Sequence, residues 1–467
     1  MAVSYVIWEM MLNKLSENNM IKYIGMLVVT MITSMYFFPF EFTFLPGANT
    51  KMIMAGLGLV WFGINMARGA QRGGLNRDLF NLSIWAMGIS LISLVGVTLN
   101  STNDYTFVTY VVSMWVWLGG AYTATRLMKG LHGYLNVELV CHYLIAVCVG
   151  QCLIAYGMDM FPALKNFVDG FLASSGFMGK TEDRLYGIGA SLDVAGMRFA
   201  AVLIIISYLS VNARTAKNWG RRCAYILSFL LIIIIGNMIG RTTTVGAGMA
   251  VVYWIYTWLF SKDDERKAEA KKVMWTIAIA LLLCLPLVIH FYNVDASIHK
   301  NIRFAFEGFF SLVEKGRWET NSNEILKNMY VFPDNSRTWL IGDGYMENPY
   351  DTDPYYIGEK WGGYYHGTDV GYLRFIFYAG IFCMLTFVLY MLKVAQVCMR
   401  RFEGYALLFF ALLVLNYLVW LKVSSDLFPV FAIFLCITAN DMDQADALRR
   451  QQAEQMQHER LSVKANT

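Results

Sequence analysis

The sequence predicts an all-α, polytopic membrane protein of about twelve transmembrane helices, and three observations carry that expectation. Of its 467 residues, 57% are hydrophobic and 15% charged, where soluble domains carry about 25% charge. Apolar stretches of about 20 residues, the length that crosses a hydrocarbon core, recur along nearly the whole chain. Lys and Arg gather in alternate connections, which is how cytoplasmic loops differ from outer ones.

Taken in order, residues 1–21 mix charge with apolar residues around Trp8 and read as a cytoplasmic interfacial helix rather than a cleavable signal. Spans are expected near 22–39, 51–67, 80–98, 107–125, 137–156, 197–212, 223–240, 243–261, 273–292, 369–392, 405–421 and 427–440. They form one transmembrane domain, 22–440. One set of connections holds 17 basic residues: Arg68, Arg72, Arg77, Arg126, Lys129, Arg214, Lys217, Arg221, Arg222, Lys262, Arg266, Lys267, Lys271, Lys272, Lys393, Arg400 and Arg401. The short loops of the other set hold only Lys51, Arg241 and Lys422. Both termini are therefore expected in the cytoplasm, with two long loops, 157–197 and 293–368, outside. The tail 441–467, with Gln451, Gln452, Gln455 and Gln457, reads as a solvated cytoplasmic helix or a disordered end.

The net charge of +4 is accounted for by this topology, and the basic loops lack interleaved aromatics, so no nucleic-acid partner is expected. All eight cysteines fall in spans or on their cytoplasmic side, which argues against a disulfide framework or metal cluster. No nucleotide-binding loop, zinc motif or Ser-His-Asp arrangement is present, and no metal or other cofactor is expected. The outer loops are where function is sought. Loop 157–197 carries Phe161, Phe167, Phe171 and Phe177 and is expected to lie along the membrane surface. The longer loop has helix-like stretches at 303–313 and 322–330, then a Gly-, Asp-, Tyr- and Pro-rich segment at 342–368. Its aromatics (Trp318, Trp339, Tyr345, Tyr350, Tyr355, Tyr356, Trp361, Tyr364) suit either a sugar-binding surface or a membrane interface.

Three groups of residues could carry chemistry. Arg241 stands in the tight turn Gly240-Arg241-Thr242-Thr243-Thr244 between two spans, with no acid close in sequence. A guanidinium beside hydroxyls at a membrane edge suits a phosphate; the bland alternative is a snorkelling Arg paired to lipid or to an acid of an outer loop. His366 and Asp369 lie in Gly362-Gly363-Tyr364-Tyr365-His366-Gly367-Thr368-Asp369-Val370-Gly371-Tyr372-Leu373-Arg374. His366 could serve as a base; Asp369 could orient it, bind a sugar hydroxyl, or simply cap the next helix. Tyr365 and Tyr372 flank them as binding candidates. Arg184, Asp193 and Arg198 close the shorter loop, and Arg303, Arg317 and Arg337 sit in the longer one. Glu138 and His142, four residues apart inside a span, are what a transporter would use.

The set resembles the O-antigen ligase and O-antigen polymerase superfamily of bacterial envelope glycosyltransferases. The likeness rests on Arg184-Leu185-Tyr186-Gly187 to Asp193, on Gly240-Arg241, and on Arg317-Trp318 through Leu340-Ile341-Gly342-Asp343-Gly344 to His366-Gly367, Tyr372-Leu373 and Gly380. It covers about 180–395. The family often has Asn after the histidine, where this chain has Gly367, and Asn near the position of Asp193. The resemblance implies the B-type fold of the C-class membrane glycosyltransferases and a glycan donor on undecaprenyl diphosphate. Arg241 would grip the diphosphate, assisted by Arg184, Arg303 or Arg317, and His366 would take the acceptor's proton, with Asp369 or Asp193 as substitutes. The implied reaction is metal-independent and inverting, at the periplasmic face of the bacterial inner membrane. A repeat-unit polymerase is expected, with a lipid-linked acceptor and a chain-length regulator as partners. Alternatives are a ligase acting on lipid A core and, in another class, a polysaccharide or lipid-linked oligosaccharide transporter.

Overall fold

The structure, a computed structural model, describes residues 19–68, 74–173, 184–212, 218–448 and 450–451. The expected interfacial helix around Trp8, together with Arg72, Phe177, Arg214, Lys217 and Gln452, Gln455 and Gln457, lies outside the described residues. The chain is helical, in the order α1 (Asn19–Phe37), α2 (Thr50–Ala67), α3 (Gly74–Asn100), α4 (Tyr110–His132), α5 (Val137–Met160), α6 (Pro162–Phe171), α7 (Leu192–Asn212), α8 (Trp219–Ile239) and α9 (Thr243–Phe260). It continues with α10 (Asp264–Val294), α11 (Ala296–Ala305), α12 (Glu307–Lys315), α13 (Asn321–Asn328), α14 (Ser336–Ile341), α15 (Pro349–Thr352), α16 (Gly371–Arg401), α17 (Ala406–Val419) and α18 (Phe428–Leu435).

Each of the twelve expected spans contains a helix, and among the described residues nine of these are long and apolar enough to cross a membrane. The other three are α4, α17 and α18. α4 has the length, 23 residues, but carries Arg126 and Lys129 in its second half. α17 has 14 residues and α18 only 8, about 12 Å of rise against a hydrocarbon core of about 30 Å. The expected span 427–440 is interrupted because Asp441 accepts bonds from the Thr438 amide (2.9 Å) and hydroxyl (2.7 Å) and is held by Arg126 and Lys129. Every residue of α18 is buried by its neighbours.

α7 is the central element, and nearly all of its span is enclosed by other helices. Around it the connections sort to two ends. At one end Arg126 and Lys129 meet Asp441, Arg400 and Arg401 meet Asp78, and Arg222 meets Glu269. At the other end all the remaining connections touch: Ser297 and Asn301 donate to Asp159, Asn100 and Thr102 to the carbonyls of Gly342 and Gly344, Tyr330 to Leu421, and Lys422 to Asp193. The basic loops thus share one end, and both long connections share the other.

α16 is broken inside its apolar length, at Ala379 and Gly380, where Gly380 takes φ +77°. The break frees the carbonyls of Phe377 and Tyr378. They accept bonds from the amides of Asp343 (2.6 Å) and Gly344 (3.1 Å), so the segment Leu340–Gly344 docks into the gap. A Cβ on Gly380 would stand 2.2 Å from the Leu340 carbonyl oxygen, and one on Gly342 would stand 2.6 Å from the Ala379 amide nitrogen. Backbone exposed at membrane depth is tolerated where protein satisfies it, which this segment does.

Candidate functional site

The hairpin between α8 and α9 is pinned before its side chains act. Gly240 lies against the start of α7, where a Cβ would stand 2.4 Å from the Leu192 carbonyl oxygen, and Gly196 faces Gly240 in return. Arg241 follows directly. Its guanidinium stands 4.3 Å from the Phe304 ring centroid and is ion-paired with Glu307. Arg184 approaches the same ring at 4.8 Å. Phe304 and Glu307 come from α11 and α12, either side of the bend at Phe306, and the second Glu307 oxygen accepts from the Asn321 amide (3.0 Å). Two cations on one ring form a locus suited to an anion, and the carboxylate now occupying Arg241 is itself an anion.

Beside this pair, Asp193 accepts from the Thr242 hydroxyl and from the Lys422 ammonium, each at 2.6 Å. Lys422 comes from the α17–α18 connection, so Asp193 ties three elements together. Asp369 belongs to the same network: burial raises its carboxyl pKa, the Asp193 charge adds to the rise, and Arg374 and Lys422 oppose it. Its expected capping role is not observed. Val370 is the residue ahead of α16, and no side chain caps that end.

His366 sits in an aromatic enclosure, stacked on Phe377 (4.4 Å, 25°) with Trp361 at 4.9 Å and Tyr365 at 4.5 Å. Burial lowers its pKa, opposed by the charges of Asp343, Asp334 and Glu359. Burial thus favours the neutral ring, which has a lone pair to offer. His366 has φ +54° and Gly367 φ +63°, and a non-Gly residue held left-handed stores about 1–3 kcal/mol. Gly at 367 adopts that conformation freely.

The remaining candidates fall elsewhere. Arg303 forks onto Glu314 with two bonds of 2.9 Å, and Arg317 reaches Glu319 at 3.2 Å; both are exposed pairs within the long connection. Arg337 donates to the Leu99 carbonyl (3.4 Å), Tyr372 to the Tyr417 carbonyl (3.0 Å), and Tyr365 to Asp343 (3.4 Å). Arg198 is buried below the hairpin, bound to the Phe37 carbonyl and surrounded by Phe37, Phe38 and Trp117. Glu138 is in the first turn of α5, at a helix end, and His142 bonds Tyr225 at 2.7 Å.

Four residues at the site escaped sequence reasoning. Phe304 and Glu307 lie in an apolar stretch with no mark of their own. Arg374 had a place in the segment but no role; it holds the Ser424 hydroxyl (2.7 Å), the Met346 carbonyl (2.8 Å) and the face of Tyr364 (3.4 Å), fastening the long connection to α16. Lys422 did carry a signal, as one of three cations in the otherwise non-basic short loops. Compared with protein-family models, curated proteins and solved structures, the chain matches none of them.

Proposed function

We propose that the chain is a membrane glycosyltransferase acting on a lipid-linked glycan, a repeat-unit polymerase whose donor is a glycan on undecaprenyl diphosphate. The convergence of Arg184 and Arg241 on the Phe304 ring is the observation that carries this reading. It supports a diphosphate clamp at the end of the bundle away from the basic loops, where a lipid-borne headgroup would arrive. In the step proposed, the bond between the anomeric carbon and the diphosphate oxygen breaks and the acceptor hydroxyl oxygen bonds that carbon from the opposite face. The acceptor's proton passes to a base, and undecaprenyl diphosphate leaves as an anion held by the two guanidiniums. The donor's phosphates would replace Glu307 on Arg241. Asp369 is favoured over His366 as the base, because Asp369 shares charges with Asp193 and Lys422 beside Arg241, whereas the charges around His366 are those of Asp343, Asp334 and Glu359. His366, Trp361 and Tyr365 then form a wall for sugar rings.

Purified protein supplied with lipid-linked repeats should build a ladder of lengthened glycans. Arg241→Ala should slow it about 10²–10³-fold, the cost of losing one group that stabilises developing charge. An undiminished ladder from that variant would sink the diphosphate role. Transfer onto lipid A core in place of a ladder would assign the ligase reaction instead.

A further inference from the structure

At the end of the bundle that carries the basic loops, α3 and α16 leave between them a pocket of about 300 Å³, at the lower bound of small-ligand sites. Its polar lining is Asp78, Asn81, Lys393, Gln396 and Arg400, with Trp85 on one side. Asp78 is already engaged by both Arg400 and Arg401, whose Nε donates to it at 2.8 Å. Lys393 has no acid and no hydrogen-bond acceptor among the described residues. Asp78 is thus spent on two arginines, while Lys393 and Arg400 both line the pocket, and that excess of positive charge calls for an anion.

The same two helices continue into the membrane with exposed apolar stripes. Ile84, Met87, Leu91 and Val95 form one on α3, and Phe382, Leu385 and Leu389 form the other on α16. Both follow one helix face. Gly88 faces Thr386, with a Cβ there 3.8 Å from the Thr386 methyl, which sets the stripes side by side. From Ile84 to Val95 the helix rises about 16 Å, half of a hydrocarbon core of about 30 Å. A cationic headgroup pocket leading into an apolar groove one leaflet deep has the shape of a phospholipid.

We infer that the α3–α16 pocket binds the phosphate-bearing headgroup of an anionic phospholipid, with an acyl chain along the groove. Lys393 and Arg400 take the phosphate oxygens, Asn81 and Gln396 face headgroup hydroxyls, and Trp85 marks the interface. A zwitterionic lipid brings its own ammonium into the same cations and is disfavoured. The site is independent of the reaction proposed above.

The full chain in phosphatidylcholine nanodiscs, titrated with spin-labelled phosphatidylglycerol or spin-labelled phosphatidylcholine, tests this. Wild-type protein should immobilise the phosphatidylglycerol label in several-fold preference. Lys393→Gln should weaken that preference about fivefold, as expected for one basic residue at a lipid surface, while Lys393→Arg keeps it. Gln396→Trp, filling the pocket, should abolish the preference without removing a charge. Equal immobilisation of the two labels by wild-type protein, or a preference unchanged in both Lys393→Gln and Gln396→Trp, would overturn the assignment.

Discussion

At the scale of single residues, burial and charge separate two groups that lie three positions apart in sequence. Asp369 has its carboxyl pKa raised, first by burial and then by Asp193, while His366 has its imidazole pKa lowered by burial. A base works only when deprotonated, so a raised carboxyl pKa moves the acid limb of the rate profile up from the ordinary carboxylate range. If Asp369 is the base, transfer falls as pH drops through that raised value. Asp369→Asn then costs about 10²–10⁴-fold above that value and removes the limb, and His366→Gln keeps the limb and loses less. The opposite ranking of the two variants in a pH series would return the role to His366. His366, held left-handed against Phe377, would in either case position whatever packs on the aromatic wall.

At the scale of elements, the broken α16 explains motifs that look chemical in sequence. Leu340-Ile341-Gly342-Asp343-Gly344 and Gly380 are two halves of one contact, because the freed carbonyls of Phe377 and Tyr378 need the amides of Asp343 and Gly344. Gly380→Ala introduces a Cβ against the Leu340 carbonyl and imposes a side chain at φ +77°. The conformation alone costs about 1–3 kcal/mol, and the clash adds to it. A lowered unfolding midpoint in detergent is expected, together with loss of activity, since this contact also positions Tyr365 through Asp343. An unchanged midpoint would show that the segment is not held by the break.

At the scale of the whole molecule, the sorting of connections predicts sidedness. The end bearing Arg241, Asp369 and the long connection should face away from the cytoplasm, because the basic loops share the opposite end. In intact cells an Ile357→Cys variant should react with a membrane-impermeant maleimide, and Asp264→Cys only after permeabilisation; both positions are almost fully exposed. The reverse pattern would place the site on the cytoplasmic side.

How much was legible beforehand follows from which forces act locally. Hydropathy is a property of neighbouring residues, so the positions of the helices, the turn presenting Arg241 and the grouping of basic loops could be read from sequence. The shortness of α18 could not, since burial by neighbouring helices, not its own apolarity, surrounds it, and the interruption after it depends on Arg126 and Lys129 reaching Asp441. The site divides in the same way. Arg184, Arg241, Asp193 and Asp369 were visible as charges where charge is costly, but their partners are distant in the chain: Glu307 is 66 residues from Arg241, and Lys422 is 229 from Asp193. Arg303 and Arg317 looked equivalent to Arg184 in sequence, yet Glu314 and Glu319 occupy them at the surface. By itself the sequence determined an all-helical membrane protein with its unusual charges gathered in one set of connections. Which of those charges meet was decided only by tertiary structure, because an ion pair is specified by proximity in space and a local sequence carries no record of that.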